Sequence, residues 1–347
     1  MFLEPSLYIE VLGGLGLGIF LGWALQKGGF CMNTAFRSIL FEKDRSLLQA
    51  WFLVLLINVP AVLILTELEI LFPASVPFFW PALIIGGLAF GVGMVLAGGC
   101  ASGTYYRAGR GMLGSWGALI GFLLGTSMVD YGFLQPTQGF LRSFRVDIKG
   151  EELTLFRLLG LEESPWKWLV LAALLVPLVV FLIRAPKQKF LIGWGWKKTG
   201  FIVGGLALAV WLVSALLGRD FGLSFTQPSS ALTAFVTSGE TGGIGLPFFL
   251  LLGVPLGSFL SAHKAGEAKW QLPSAKSLVR QSGGGLLMGV GAAIAGGCNI
   301  GHGISGLATL SLGSVLGVVS IMAGCWLMTA LVMQKEKRLA ALQSAAR

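Results

Sequence analysis

Two short turns of identical composition invite a chemical reading. Ala97-Gly98-Gly99-Cys100 and Ala295-Gly296-Gly297-Cys298 carry the same four residues 198 positions apart, and each closes a long apolar run. Paired glycines let a chain leave helical geometry without steric penalty and let neighbouring backbone come close. The residues that follow then present N–H groups with no helical partner, an arrangement that favours an anion. The thiol adds selectivity: it is a weak, polarisable donor, poorly matched to phosphate or sulfate oxygen and better suited to a soft sulfur atom carrying negative charge. A third polar interruption, Gly28-Gly29-Phe30-Cys31-Met32-Asn33-Thr34, aligns loosely with Phe221-Gly222-Leu223-Ser224-Phe225-Thr226-Gln227-Pro228, pairing Cys31 with Ser224. The candidate site is therefore Cys31, Cys100 and Cys298, with Gly99 and Gly297 at the turns. Asn33, Asn299, Ser224 and Thr226 are neutral donors for ligand oxygens. Neutral donors keep binding modest, and conduction needs weak sites that release.

The remaining candidates read more plainly. Cys325 lies inside an apolar run as a small hydrophobe. His302, four residues after Cys298, is expected to be satisfied or pore-facing rather than a ligand, and His263 to be interfacial. The four cysteines form no CxxC pair and no zinc-like spacing, so free thiols are expected, without a disulfide framework, metal or cofactor. Arg37, Arg107 and Arg110 read as topology anchors that also attract anions on the inner side. Trp51, Trp80, Trp166 and Trp168, near the ends of apolar runs, read as an interfacial belt.

The elements that must position these residues are set by composition. Of 347 residues, 55% are hydrophobic and only 12% charged, with a mean hydropathy of +0.80. Soluble domains carry about 25% charged residues. The implied fold class is an all-α polytopic membrane protein of about nine transmembrane helices, plus short broken or re-entrant helices. The expected spans are 8–26, 50–68, 79–98, 112–129, 166–183, 200–217, 244–262, 283–297 and 312–333. No cleavable signal peptide is expected, because Glu4 and Glu10 precede the first basic residue, Lys27.

The net charge of +9 does not point to nucleic acid, because it sits in short loops between spans. Arg184, Lys187, Lys189, Lys197 and Lys198 stand without an acid. Lys264, Lys269, Lys276 and Arg280 face only Glu267, and the tail sets Lys335, Lys337, Arg338 and Arg347 against Glu336. These stretches, with Arg37, Lys43 and Arg45, read as cytoplasmic. Residues 130–165, with six acids (Asp130, Asp147, Glu151, Glu152, Glu162, Glu163) against Arg142, Arg145, Lys149 and Arg157, read as outside. Threading nine spans through these sides puts the N-terminus outside and the C-terminus in the cytoplasm, in a bacterial inner membrane.

The chain also repeats itself. Residues 86–103 and 284–301 are identical at eleven of eighteen aligned positions. In the expected topology the two copies cross the membrane in opposite directions, which makes residues 1–130 and 199–347 inverted repeats joined by a connector, 131–198, that holds the fifth span. Inverted repeats with glycine-interrupted helices are a recurrent transporter plan, with the site where the repeats meet.

At Gly28-Gly29-Phe30-Cys31-Met32-Asn33-Thr34-Ala35-Phe36-Arg37, Leu96-Ala97-Gly98-Gly99-Cys100 and Ala295-Gly296-Gly297-Cys298-Asn299-Ile300-Gly301-His302-Gly303 the chain resembles the YeeE/YedE family of sulfur-transport membrane proteins. The resemblance spans nearly the whole chain. It implies uptake of thiosulfate rather than an enzymatic reaction, with Cys31, Cys100 and Cys298 along an hourglass-shaped path in contact with the ion. It also implies a cytoplasmic TusA-like sulfur-carrier protein as partner. Three alternatives stay open. One is transport of another sulfur or selenium compound. Another is a membrane thiol oxidoreductase, which needs two cysteines with Cα atoms closer than about 7 Å. The last is a metal pathway using cysteine and His302, for which the spans lack carboxylates.

Overall fold

Apolar runs of about twenty residues can satisfy their peptide groups in hydrocarbon only as helices. The computed structural model describes residues 5–41, 44–148, 150–184 and 193–345, with side chains as far as Lys335. Glu4, Lys43, Lys149, Lys187, Lys189 and Arg347, which enter the charge reading above, lie outside the described residues, as do the side chains of Glu336, Lys337 and Arg338.

A short helical entry, Pro5–Tyr8, and a π-turn, Ile9–Gly13, lead into α1 (Gly14–Gly28). There follow α2 (Met32–Leu40), α3 (Ser46–Glu67), α4 (Trp80–Ala97), α5 (Ala101–Gly109) and α6 (Leu113–Asp130). A connector carries α7 (Gln135–Ser143) and leads to α8 (Lys167–Arg184). The second half runs α9 (Trp196–Leu216), α10 (Thr226–Ser238), α11 (Leu246–Lys264), α12 (Ala275–Ala295), a π-turn at Gly301–Gly306, and α13 (Leu312–Ala345). On either side of α8 the order of long and short helical segments is the same.

Among the described residues eight stretches are long and apolar enough to cross a membrane and there is almost no strand, so the chain is an all-α, multi-pass membrane protein. The expected span 283–297 is α12, which begins eight residues earlier, at Ala275. It falls short of the other eight in hydropathy because Lys276, Arg280, Gln281 and three consecutive glycines occupy its first half. Its burial is instead by protein: α12 lies between α4 and α6.

The packing has a pattern of exchange. α6 runs alongside α12 as α13 runs alongside α4, and α1 pairs with α11 as α9 pairs with α3, while α4 and α12 cross each other antiparallel at the centre. Glycine makes these approaches possible. A Cβ on Gly285 would fall on the Ala118 carbonyl, one on Gly257 on the Ile19 carbonyl, and one on Gly22 on the Val254 carbonyl. Close backbone approach through small residues is how helices associate where lipid offers no hydrophobic drive.

The connector is stapled across one end of both halves. Phe78–Phe79 (β1) pairs antiparallel with Arg145–Val146 (β2). Leu155 N–H donates to Leu310 O at 3.0 Å, and Leu312 N–H to Leu153 O at 3.0 Å. Ion pairs add to the staple: Lys167 meets Glu67 at 2.6 Å, and Arg157 meets Glu162 at 2.8 Å. Trp80, Trp166 and Trp168 are exposed as a belt requires, but Trp51 is not part of it. Trp51 is 5% exposed, and its indole donates to Gly303 O at 2.7 Å, because an indole N–H inside a bundle needs an acceptor that lipid cannot supply.

Gly257→Ala and Gly285→Ala should each cost about 1–3 kcal/mol by forcing paired backbones apart. Gly205 and Gly283, beside which a Cβ meets nothing within 4 Å, serve as controls. Thermal melting in detergent should drop for the first two variants and not for Gly205→Ala or Gly283→Ala.

Candidate functional site

The site is built from helix breaks. α1 gives way at Gly29 (φ 57°), α4 at Gly98 (φ 77°) and α12 at Gly296 (φ 82°), left-handed conformations that glycine adopts without a Cβ clash. In the two Gly-Gly-Cys turns the second glycine serves another need, space. A Cβ on Gly99 would lie 2.7 Å from Arg107 Nη1, and one on Gly297 would lie 3.1 Å from the His302 ring. Beyond each pair the cysteine caps the segment that follows. Cys100 Sγ accepts the Gly103 N–H at 3.4 Å, and Cys298 Sγ accepts the Gly301 N–H at 3.5 Å. Two thiols 198 residues apart thus stand at the same point of the same local structure, each over a positive helical end.

The carbonyls left behind at the two breaks are met by arginines. Arg107 Nη1 donates to Gly98 O, back across the turn that carries Cys100. At the other turn, Arg142 of α7 donates from Nη2 to Ala293 O at 2.5 Å and from Nε to Ile294 O at 3.3 Å, its guanidinium 5.0 Å from the Phe79 ring centroid. Gln138 adds a bond to Ala293 O at 2.9 Å. Cations complement the negative end of a helix, and here each also brings a positive charge beside a glycine–cysteine turn.

The broken segments meet one another. Cys31 Sγ lies 3.6 Å from Cys100 Sγ, and Cys100 Sγ lies 3.4 Å from Ser102 Oγ. Tyr105 of α5 shares a 2.7 Å hydrogen bond with Ser229 of α10, and Ser229 donates to Phe225 O at 2.5 Å. Ser305 in the π-turn donates to Leu223 O at 2.7 Å. Ser224, half-buried, places its Oγ 3.4 Å from where a Cβ on Gly301 would stand. Thr226 is 6% exposed with an unpartnered Oγ1, and Asn299 is fully buried with neither Oδ1 nor Nδ2 bonded. A buried polar group left unpaired costs about 1–3 kcal/mol, so this set is poised for a polar guest.

The candidate residues therefore divide into groups. Cys31 and Cys100 come together with Gly99 and Arg107. Cys298 stands with Gly297, Asn299 and His302, and Ser224 approaches the same π-turn at Gly301. Asn33 uses its Oδ1 to accept from the Cys325 thiol at 3.6 Å, which engages its acceptor and not the amide N–H groups expected to donate. Cys325 is accordingly a polar partner as well as a packing residue. His302 is fully buried, with Nδ1 3.4 Å from Ser314 Oγ and Nε2 unpartnered. Among the described residues no group of three His, Cys, Asp or Glu could hold a metal ion.

Arg142, Trp51, Tyr105 and Ser229 are neighbours of the candidate site that sequence reasoning missed, and Arg107 was read as an anchor that also attracts anions. The position of Arg107 within one turn-and-helix of Gly98 was a readable signal. Arg142 gave none, since 151 residues separate it from Ala293.

All four cysteines are buried and outside any disulfide, and the site geometry makes a selective prediction about them. Mild oxidation with diamide should join Cys31 to Cys100, recovered as one linked peptide after proteolysis, and leave Cys298 unlinked. Linkage of Cys298 to either residue at a similar rate would contradict this arrangement.

Comparison with known proteins bears on what such a site is for. The family model described as sulphur transport matches residues 27–327. A relative from Escherichia coli K12, named thiosulfate transporter TsuA, is 31% identical over 350 residues, covering 98% of this chain and 99% of its own. The thiosulfate transporter TsuA of Spirochaeta thermophila is 34% identical over 327 residues, covering 91% and 97%. A probable transporter, YedE of Escherichia coli K12, is 29% identical over 128 residues, 37% of this chain and 30% of its own. With a match running through all three glycine–cysteine turns and two relatives similar from end to end, the chain belongs to the sulphur transport family.

Proposed function

We propose that the protein takes up thiosulfate across a bacterial inner membrane, along a central path on which cysteine thiols hand the ion between weak sites. The observation that carries this reading is the meeting of Cys31 and Cys100 at one break, mirrored by Cys298 beside the unsatisfied Asn299 at the other. The names of the two full-length relatives support thiosulfate as the substrate. The exchange pattern in the packing supports inverted repeats over 1–130 and 199–347, with 131–198 as connector. The loop charges support an outer N-terminus and a cytoplasmic C-terminus.

In this reading the dianion arrives from the outer side and is drawn toward the Gly296-Gly297-Cys298 turn, where Arg142 sits. The Cys298 S–H donates to its terminal sulfur, while Asn299, Thr226 and Ser224 meet its oxygens. It then passes Tyr105 and Ser229 to Cys100 and Cys31, beside Arg107, and leaves for a cytoplasmic TusA-like sulfur carrier. No bond within the ion is made or broken. Both arginines are already engaged by helix carbonyls, so each attracts the ion without clamping it. A freely available guanidinium would hold a dianion too firmly for transport.

One observation favours a second reading, thiol–disulfide exchange: the 3.6 Å approach of Cys31 to Cys100. The two readings part at Cys298, which the relay requires and exchange between Cys31 and Cys100 does not.

Cells lacking their own uptake routes and growing on thiosulfate as sole sulfur source provide the test. The wild-type chain should rescue growth, whereas Cys100→Ala and Cys298→Ala should not, at equal amounts in the membrane. Full rescue by both variants would end the relay, and failure of the wild type would end the thiosulfate assignment. For Asn299→Ala, loss of a hydrogen bond to a charged group is worth about 1.5–3 kcal/mol, on the order of ten- to a hundredfold in apparent affinity. That change should raise the KM for uptake with a smaller effect on the maximal rate.

A further inference from the structure

A second cavity, of about 390 Å³, opens where α5 ends against α11. Its polar lining is Arg110, Lys269 and His263, and its apolar lining includes Trp116, Phe259 and Trp270. We propose that this cavity binds the headgroup of an anionic phospholipid, with Arg110 and Lys269 on the phosphodiester and the aromatic wall on the glycerol and upper acyl chains.

The charge is uncompensated. Among the described residues no carboxylate forms an ion pair with Arg110, Lys269 or His263. Glu267, the only acid between residues 263 and 280, accepts from Gln26 Nε2 at 3.1 Å. Arg110 Nε is buried without a hydrogen-bond partner. An arginine that served only as a topology anchor would turn its donors to water.

The apolar wall faces outward. Trp270 is 74% exposed, Leu256 51%, Phe259 46% and Trp116 38%, and His263 stacks on Phe259 with ring centroids 5.8 Å apart. Aromatic rings beside basic residues at a helix end are what the headgroup level of a bilayer accommodates. A soluble anion would have no use for this wall, which makes a lipid the occupant rather than free phosphate.

The cavity is also preformed. Leu113 N–H donates to Gln271 O and Gln271 N–H to Gly111 O, both at 3.0 Å, so the segment carrying Lys269 and Trp270 is fixed against the start of α6. On the other side, a Cβ on Gly109 would fall on the Pro255 carbonyl, so α5 and α11 already touch. A lipid seated here would brace the end of α5, the helix that Cys100 begins. The proposal stands apart from the identity of the transported ion.

Native mass spectrometry of the purified chain, offered dioleoylphosphatidylglycerol or dioleoylphosphatidylcholine, tests it. The wild type should retain the anionic lipid about tenfold better than the zwitterionic one, and Arg110→Ala/Lys269→Ala should abolish the preference. Lys264→Ala/Lys276→Ala, outside the cavity, should leave it intact, and excess inorganic phosphate should not displace the lipid. If the alanine pair does not fold by thermal melting, Arg110→Gln/Lys269→Gln removes the same charges with less loss of packing. Equal retention of both lipids, an undiminished preference in the folded double variant, or displacement by inorganic phosphate would overturn the proposal.

Discussion

A helix that stops inside hydrocarbon leaves carbonyls without donors behind it and N–H groups without acceptors ahead of it, and lipid can satisfy neither. Much of this molecule follows from meeting that demand at the breaks after α1, α4 and α12. Left-handed glycines turn the chain at all three, and at the Cys100 and Cys298 turns arginines donate to the abandoned carbonyls while each thiol accepts one of the exposed N–H groups. Thr226 and Asn299 remain unsatisfied, and they lie in the two segments on either side of the contact between the α10 entry and the π-turn.

The choice of cap sets the chemistry. Ser or Asp at the same positions would cap more strongly, since thiols are weak hydrogen-bond partners. Sulfur in place of oxygen gives up some local stability and leaves the N–H groups and the thiol proton loosely held. In the proposed relay, that looseness is what would let a soft anion be accepted and given back. The arginines follow the same logic, since guanidinium groups bound to carbonyls contribute field without offering an open fork.

The elements that sequence made legible are those governed by local composition. Apolar runs marked the spans to within several residues, apart from the start of α12, whose polar and glycine-rich first turns are buried by α4 and α6 rather than by lipid, and the end of α13, which stays helical to Ala345, beyond its apolar run. The repeated Gly-Gly-Cys announced two of the breaks, because a turn and its cap lie within six residues. What stayed hidden depends on pairs distant in the chain. Trp51 sits 252 residues from its acceptor Gly303, and Cys325 lies 292 residues from Asn33. Their partners exist only once the bundle has closed. The contact of Cys31 with Cys100 is of the same kind, since similar motifs in sequence pointed to Cys100 and Cys298 as the related pair.

The two arginine caps differ in one respect that bears on how the protein is made. Arg107 and Gly98 are nine residues apart, whereas Arg142 and Ala293 are separated by 151. At about 5–20 residues per second of synthesis, the second separation amounts to on the order of ten to thirty seconds. The turn at Cys100 can close as soon as the first half has entered the bilayer. The turn at Cys298 must wait, and until α12 arrives the glycine faces of α4 and α6 have no partner and the guanidinium of Arg142 has no carbonyl. A chain made in this order carries one closed turn and one open seam until α12 arrives, the stage at which an insertase would have most to hold.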